Sequence, residues 1–105
     1  MMRQSYYHVA PPRETAIERD IMQYLQLRGY HARRTHSAQG RKSRPSKAGT
    51  LDIVFARGAV WGYIETKAEG GALRDKQVEE IAAIQRAGGL AIVARNVEDV
   101  IAAGI

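Results

Sequence analysis

The chain reads as a small α/β domain, a mixed β-sheet flanked by helices in the order α-β-β-β-α-β-α. Three observations lead there. Apolar residues recur at spacings of three and four around Ile17 to Leu25 and again around Val78 to Ile84, the mark of two amphipathic helices. Between them, two β-rich runs, "TLDIVFA" and "VWGYIETKA", flank a tight turn at Gly58 and make a hairpin. After the second helix comes "LAIVA", a short apolar run suited to a buried strand.

The first helix is expected over about 13–28. Prolines precede it, where they suit a helix edge, Ile17, Ile21, Tyr24, Leu25 and Leu27 recur along it, and Gly29 stops it. "YHARRTH" contains a short strand at 30–35. The stretch at about 37–49, "SAQGRKSRPSKAG", has Gly, Ser, Pro and charge without periodicity, and is a loop. In the first hairpin strand, alternation puts Leu51, Ile53 and Phe55 on one face and Asp52 and Val54 on the other. Gly70 and Gly71 break the second strand. The helix that follows carries Val78, Ile81, Ile84 and Gln85 and ends at "AGG". Asn96 is the expected N-cap of a short last helix.

A chain of 105 residues holds one domain, here 13–105 with an N-terminal extension at 1–12. With no cysteine, disulfides and thiolate zinc sites are excluded, and a reducing, cytoplasmic setting is expected. No apolar stretch approaches a membrane span, and the N-terminus lacks the apolar segment of a secretion signal, so no membrane partner is expected. The net charge is +5, and its placement is more informative than its size. Between Arg28 and Lys47 lie Arg33, Arg34, Arg41, Lys42 and Arg44 and no acid at all. Such a window is either a solvated basic loop or a phosphate-contacting arm for nucleic acid, and its density favours the arm.

Three residues then bear on chemistry. Asp52 lies on the first hairpin strand, and Glu65 and Lys67 share one face of the second. The turn permits a register with Asp52 beside Glu65 without fixing it. Opposed residues of an antiparallel pair lie about 4.5–5.5 Å apart, and two carboxylates that close repel unless a cation intervenes. Mg²⁺ takes one or two carboxylates and fills its other positions with water and phosphate oxygens, and a nearby lysine can serve the water or the developing charge on phosphorus. An E-x-K triplet is most often only a surface ion pair. Asp52, separated from it by twelve residues on a hairpin, makes the pattern more specific.

That pattern resembles the PD-(D/E)XK nuclease superfamily, and within it the stand-alone form of the virus-type replication-repair nuclease family, VRR-NUC, often carried by bacteriophages. Family members read "E…(helix)…G-x-P-D…E-x-K…Q". This chain has Glu14 in "RETAIERDIMQYL", then "GTLD", "IETK" and Gln77 in "LRDKQ", with Leu51 in place of the usual proline. The resemblance covers nearly the whole chain from Glu14 onward. It implies a restriction-endonuclease-like core in which Asp52, Glu65 and the backbone carbonyl of Thr66 bind Mg²⁺, with Mn²⁺ as a substitute. Lys67 would serve the water or the phosphorane charge, and Gln77 would hold the site or touch the scissile phosphate. A first-helix acid would complete the set. Glu14 and Glu18 share a helical face, and the family's register of acid, aliphatic and aromatic-Leu positions favours Glu14.

The resemblance further implies a homodimeric endonuclease acting on branched DNA such as four-way junctions, where two sites related by a two-fold axis match two symmetric nicks. The rivals are a flap or restriction-type nuclease and a non-catalytic nucleic-acid-binding module. An RNA-binding protein would interleave aromatics with its basic residues, and the basic window offers only Tyr30. Arg33, Arg34, Arg41, Lys42, Arg44 and Lys47 are the expected DNA contacts. His8, His31 and His36 match no metal spacing. Trp61 is expected in the core or at a dimer contact.

Overall fold

The computed structural model describes residues 10–35 and 49–105. Seven elements follow one another: α1 (Glu14–Leu27), β1 (His31–Arg34), β2 (Ile53–Arg57), β3 (Val60–Thr66), α2 (Asp75–Arg86), β4 (Leu90–Ala94) and α3 (Val97–Ala102). This is the mixed α/β architecture and order that the sequence predicts. The single sheet runs β1-β2-β3-β4, antiparallel across the first two pairings and parallel between β3 and β4. The parallel step is possible because α2 makes the crossover.

Helices cover both faces. On one, Ile17, Ile21, Met22 and Leu25 of α1 and Val100 of α3 pack on Ile53, Phe55, Ile64 and Ala94. On the other, α2 lays Ile84 and Ile81 against Ala91, Tyr63 and Leu51. The α1 stop works as its sequence implies. Gly29 takes φ +85°, its N–H donates to the Gln26 carbonyl and that of Tyr30 to Leu25. This Schellman turn drops Tyr30 into the core, edge-on to Phe55 with ring centroids 5.5 Å apart. Asn96 caps α3 through its side-chain oxygen, which accepts from the Asp99 N–H at 2.8 Å.

Four packing expectations are corrected. Leu51 does not share a face with Ile53 and Phe55 but joins Ile84 and Ala91 across the sheet. Regular pairing of β2 starts only at Ile53 and Asp52 lies in a bend, so strand alternation does not extend back to Leu51. Val78 and Leu27 are exposed, because α2 and α1 are covered on one side only and these positions fall outside the buried stripe. β4 is not wholly buried, since Leu90 at its start is open to solvent. Of the two places expected for Trp61, the core is excluded. The residue is 37% exposed and its ring lies over Gly89, at the turn between α2 and β4.

Candidate functional site

Strand register brings the sequence-singled residues together. Ile53 faces Ile64 in the last pair of β2 with β3, and Asp52 and Glu65 are the chain neighbours just outside that pair. The β1 side is closed by Thr35, whose N–H donates to the Asp52 carbonyl at 2.9 Å. Period-two alternation along β3 puts Tyr63, Glu65 and Lys67 on the α2 side of the sheet.

The local chain is built to hold this end of the hairpin. Gly49, opening "GTLD", takes φ +88°, and a Cβ there would come 2.7 Å from the Lys76 carbonyl in α2. Only glycine allows the chain to pass the start of α2 on its way to Asp52. Asp52 Oδ2 accepts two hydrogen bonds from Thr66, from the N–H at 2.9 Å and the hydroxyl at 2.7 Å. The sequence resemblance implied a role for the Thr66 carbonyl, whereas the contacts seen here are made by its N–H and hydroxyl. Thr66 is itself buried, so Asp52 is fixed by backbone and core together.

Glu65 is a carboxylate in a dry place, 3% exposed. Its Oε2 accepts from Gln77 Nε2 at 2.7 Å and stands 3.5 Å from Lys67 Nζ. Gln77 Oε1 meanwhile accepts from the Arg74 N–H at 2.9 Å. One side chain thus caps α2 and anchors Glu65. Burial, and then the Asp52 charge, push the Glu65 carboxyl up to about 7, against the opposing pull of Lys67 and the Asp52 backbone N–H. Lys67 is nearly buried and is no solvated surface partner.

The first-helix acids part company. Glu14 opens α1 and is exposed, whereas Glu18, one turn on, is half-buried. Glu18 Oε1 pairs with Arg34 Nε at 3.3 Å, on the strand whose next residue, Thr35, bonds Asp52. Among the described residues, the buried side-chain oxygens and nitrogens left without a hydrogen-bond partner are Glu18 Oε2 and Glu65 Oε1. Both are carboxylate oxygens, the groups most costly to strand in a low dielectric and the first that a cation would satisfy.

Among the described residues, no three His, Asp or Glu side chains gather closely enough to enclose an ion by themselves. Of the expected DNA contacts, Arg33 is exposed on β1, with its Nε 3.3 Å from His31 Nε2, and Arg34 is engaged with Glu18. Arg41, Lys42, Arg44 and Lys47, with His8 and His36, lie outside the described residues. No helix among those described is long and apolar enough to cross a membrane. Sequence reasoning gave Arg95 no role. Its guanidinium donates to the carbonyls of Ala68 at 2.6 Å and Gly71 at 2.8 Å, bracing the loop that follows Lys67. An isolated arginine after an apolar strand carries no signal of such a contact. Compared with protein-family models and with curated proteins, the chain matches none of them.

Proposed function

We propose that the protein is a divalent-metal-dependent endonuclease that hydrolyses phosphodiester bonds in branched or structured DNA, acting as a homodimer. The observation that carries the metal is the stranded oxygen Glu65 Oε1, on a buried carboxylate that feels the Asp52 charge. A buried carboxylate with one bonded and one orphaned oxygen fits a hard cation, and Mg²⁺ needs only one or two such groups. The residues that would hold the ion are Glu65 and Asp52, and of the two first-helix acids Glu18 is half-buried with a stranded oxygen whereas Glu14 is exposed. When bound, the ion would supply Lewis-acid polarisation of a phosphate oxygen and a more acidic water.

The chain's own residues account for the rest. Gln77 fixes the rotamer of Glu65 from the first turn of α2. Lys67, 3.5 Å from the same carboxylate, would serve the attacking water or the charge developing on phosphorus. Thr66 holds Asp52 in place through two hydrogen bonds to its Oδ2. The branched substrate and the homodimer rest on the sequence resemblance alone.

The test is cleavage of labelled duplex, flap and four-way junction DNA with Mg²⁺, Mn²⁺ or EDTA. Junction cutting that depends on the metal is expected. No cutting of any substrate with either metal would overturn the reading. A second reading, a non-catalytic DNA-binding module, draws on the two bonds from Thr66, which already satisfy Asp52 Oδ2 without a metal. It predicts unchanged DNA affinity on adding EDTA and no cleavage.

A further inference from the structure

On the side where α2 sits, the helix packs at the β4 edge against Ala91 and reaches Tyr63 and Leu51, so that among the described residues no helix packs on that face of β1 and β2. Register lines up the residues on that open face. Arg33 faces Val54, which faces Tyr63, and His31 faces Ala56, which faces Trp61. Directly paired residues of antiparallel strands share a face. That this face is the one away from α1 follows from the alternate residues Ala32, Phe55 and Ile53, which pack with the α1 core. Beyond the last paired rung in the same direction come Thr35, whose N–H donates to the Asp52 carbonyl, and Glu65 of β3.

Together these residues form a lane. Its β1 edge carries the Arg33 guanidinium and the His31 imidazole, both exposed. Its floor is Val54 and Ala56, small enough to leave the lane shallow. Its β3 wall is aromatic, with Trp61 exposed and Tyr63 half-buried. Strand spacing makes the lane roughly 10 Å from edge to wall, and Trp61 lies roughly 13 Å along β3 from Glu65.

We propose that this lane binds an unpaired DNA strand leading to Asp52 and Glu65, with its phosphates along Arg33 and His31 and a base stacked on Trp61. The occupant is chosen by chemistry. A guanidinium on one side and aromatic rings on the other, one strand apart from a small-residue floor, match a polyanion with exposed π-faces, and base stacking on aromatics is tolerant of sequence. An apolar partner would leave Arg33 desolvated without a counter-charge. The inference rests on the nuclease reading for its direction along the sheet, not for the binding itself.

Trp61 is the chain's single tryptophan, so its emission reports this lane alone. The measurement is fluorescence of the full chain titrated with oligo(dT) and with blunt duplex, in EDTA, across salt. Quenching by the single strand, weaker for the duplex, is expected. Trp61→Ala, followed by polarisation of a labelled oligonucleotide, should weaken single-strand binding at least fivefold, with Trp61→Phe restoring most of it. Arg33→Ala should flatten the log–log salt slope by about 0.7. Since the ring covers Gly89 and its loss can unsettle the turn, Ala56→Glu provides a second arm. It adds a negative charge to an exposed floor position and should abolish the quench while leaving the circular dichroism unchanged.

Absence of quenching, or equal single-strand affinity in Ala56→Glu and the parent, overturns the lane. So does a Trp61 emission shift on dilution without DNA, lost in Ala56→Glu, because a second copy would then be the occupant. Quenching without any metal-dependent cleavage keeps the lane and removes the nuclease. Cleavage without quenching does the reverse.

Discussion

Glu65 is the residue whose chemistry is most constrained. An exposed glutamate gives up its proton near 4.5, whereas the folded protein holds this one to about pH 7. A raised carboxyl costs nothing below its unfolded value. Stability is lost as pH rises from about 4.5 to about 7, and the full cost, about 3 kcal/mol at about 1.36 kcal/mol per unit, is present above that. Glu65→Gln keeps the size and can still accept from Gln77. In metal-free urea denaturation it should therefore gain up to about 3 kcal/mol at pH 8 and little at pH 4.5, while losing cleavage. An equal gain at both pH values would show that charge burial is not the cause. The same reasoning makes Mg²⁺ raise the melting temperature of the parent protein at pH 8 and leave Glu65→Gln unmoved. Glu18→Gln and Glu14→Gln separate the first-helix acids. Loss of cleavage is expected in the first, whose carboxylate is half-buried, and near-parent activity in the second, whose side chain is exposed. Lys67→Ala should cut the rate by orders of magnitude with little change in metal affinity, because its proposed role is on the water or the charge on phosphorus and not on the ion. Normal turnover in that variant would reduce the Glu65–Lys67 contact to an ordinary ion pair.

At the scale of elements, the site depends on how α2 meets the hairpin. Gln77 joins the two, and Gly49 lets them touch. Gly49→Ala pushes a methyl to 2.7 Å from the Lys76 carbonyl at a positive φ, where an alanine is strained even without the clash. A loss of about 2 kcal/mol or more is expected in chemical denaturation, with cleavage falling further than the folded fraction explains because α2 carries Gln77 away from Glu65. Asn96→Ala is the control from a remote cap. It should cost about 1 kcal/mol and leave cleavage of the folded protein intact. The glycine of "GTLD" was visible in the sequence as part of a pattern. Its physical purpose was not, because the atom it avoids lies in a helix 27 residues later.

For the whole molecule, on the proposed reading, the work of DNA binding is divided between the basic window and the sheet. Neutralising Arg41, Lys42, Arg44 and Lys47 together should flatten the salt dependence of duplex affinity by about 0.9 per lost phosphate contact, with cleavage at saturating protein and low salt largely retained. An unchanged slope would mean that these residues are merely solvated. The order of elements was legible from sequence because it rests on local signals: three- and four-residue apolar spacing in α1, alternation and a Gly58 turn in the hairpin, Asn96 before α3. Local signals also put Glu65 on the second hairpin strand with Lys67 on the same face, whereas Asp52, expected on the first strand, lies in a bend one residue before it. They did not decide which face Leu51 takes, because a bend at Asp52 ends the alternation and only packing against Ile84 and Ala91 reveals it. Nor did they decide between Glu14 and Glu18, which share a helical face. The difference arises where α1 lies across β1 and brings Arg34 to Glu18. The sequence by itself determined the elements and the acid–lysine spacing, since both depend on neighbours along the chain. Burial, the stranded carboxylate oxygens and the open lane were decided only by tertiary structure, because each is set by which surfaces the helices cover and which they leave bare.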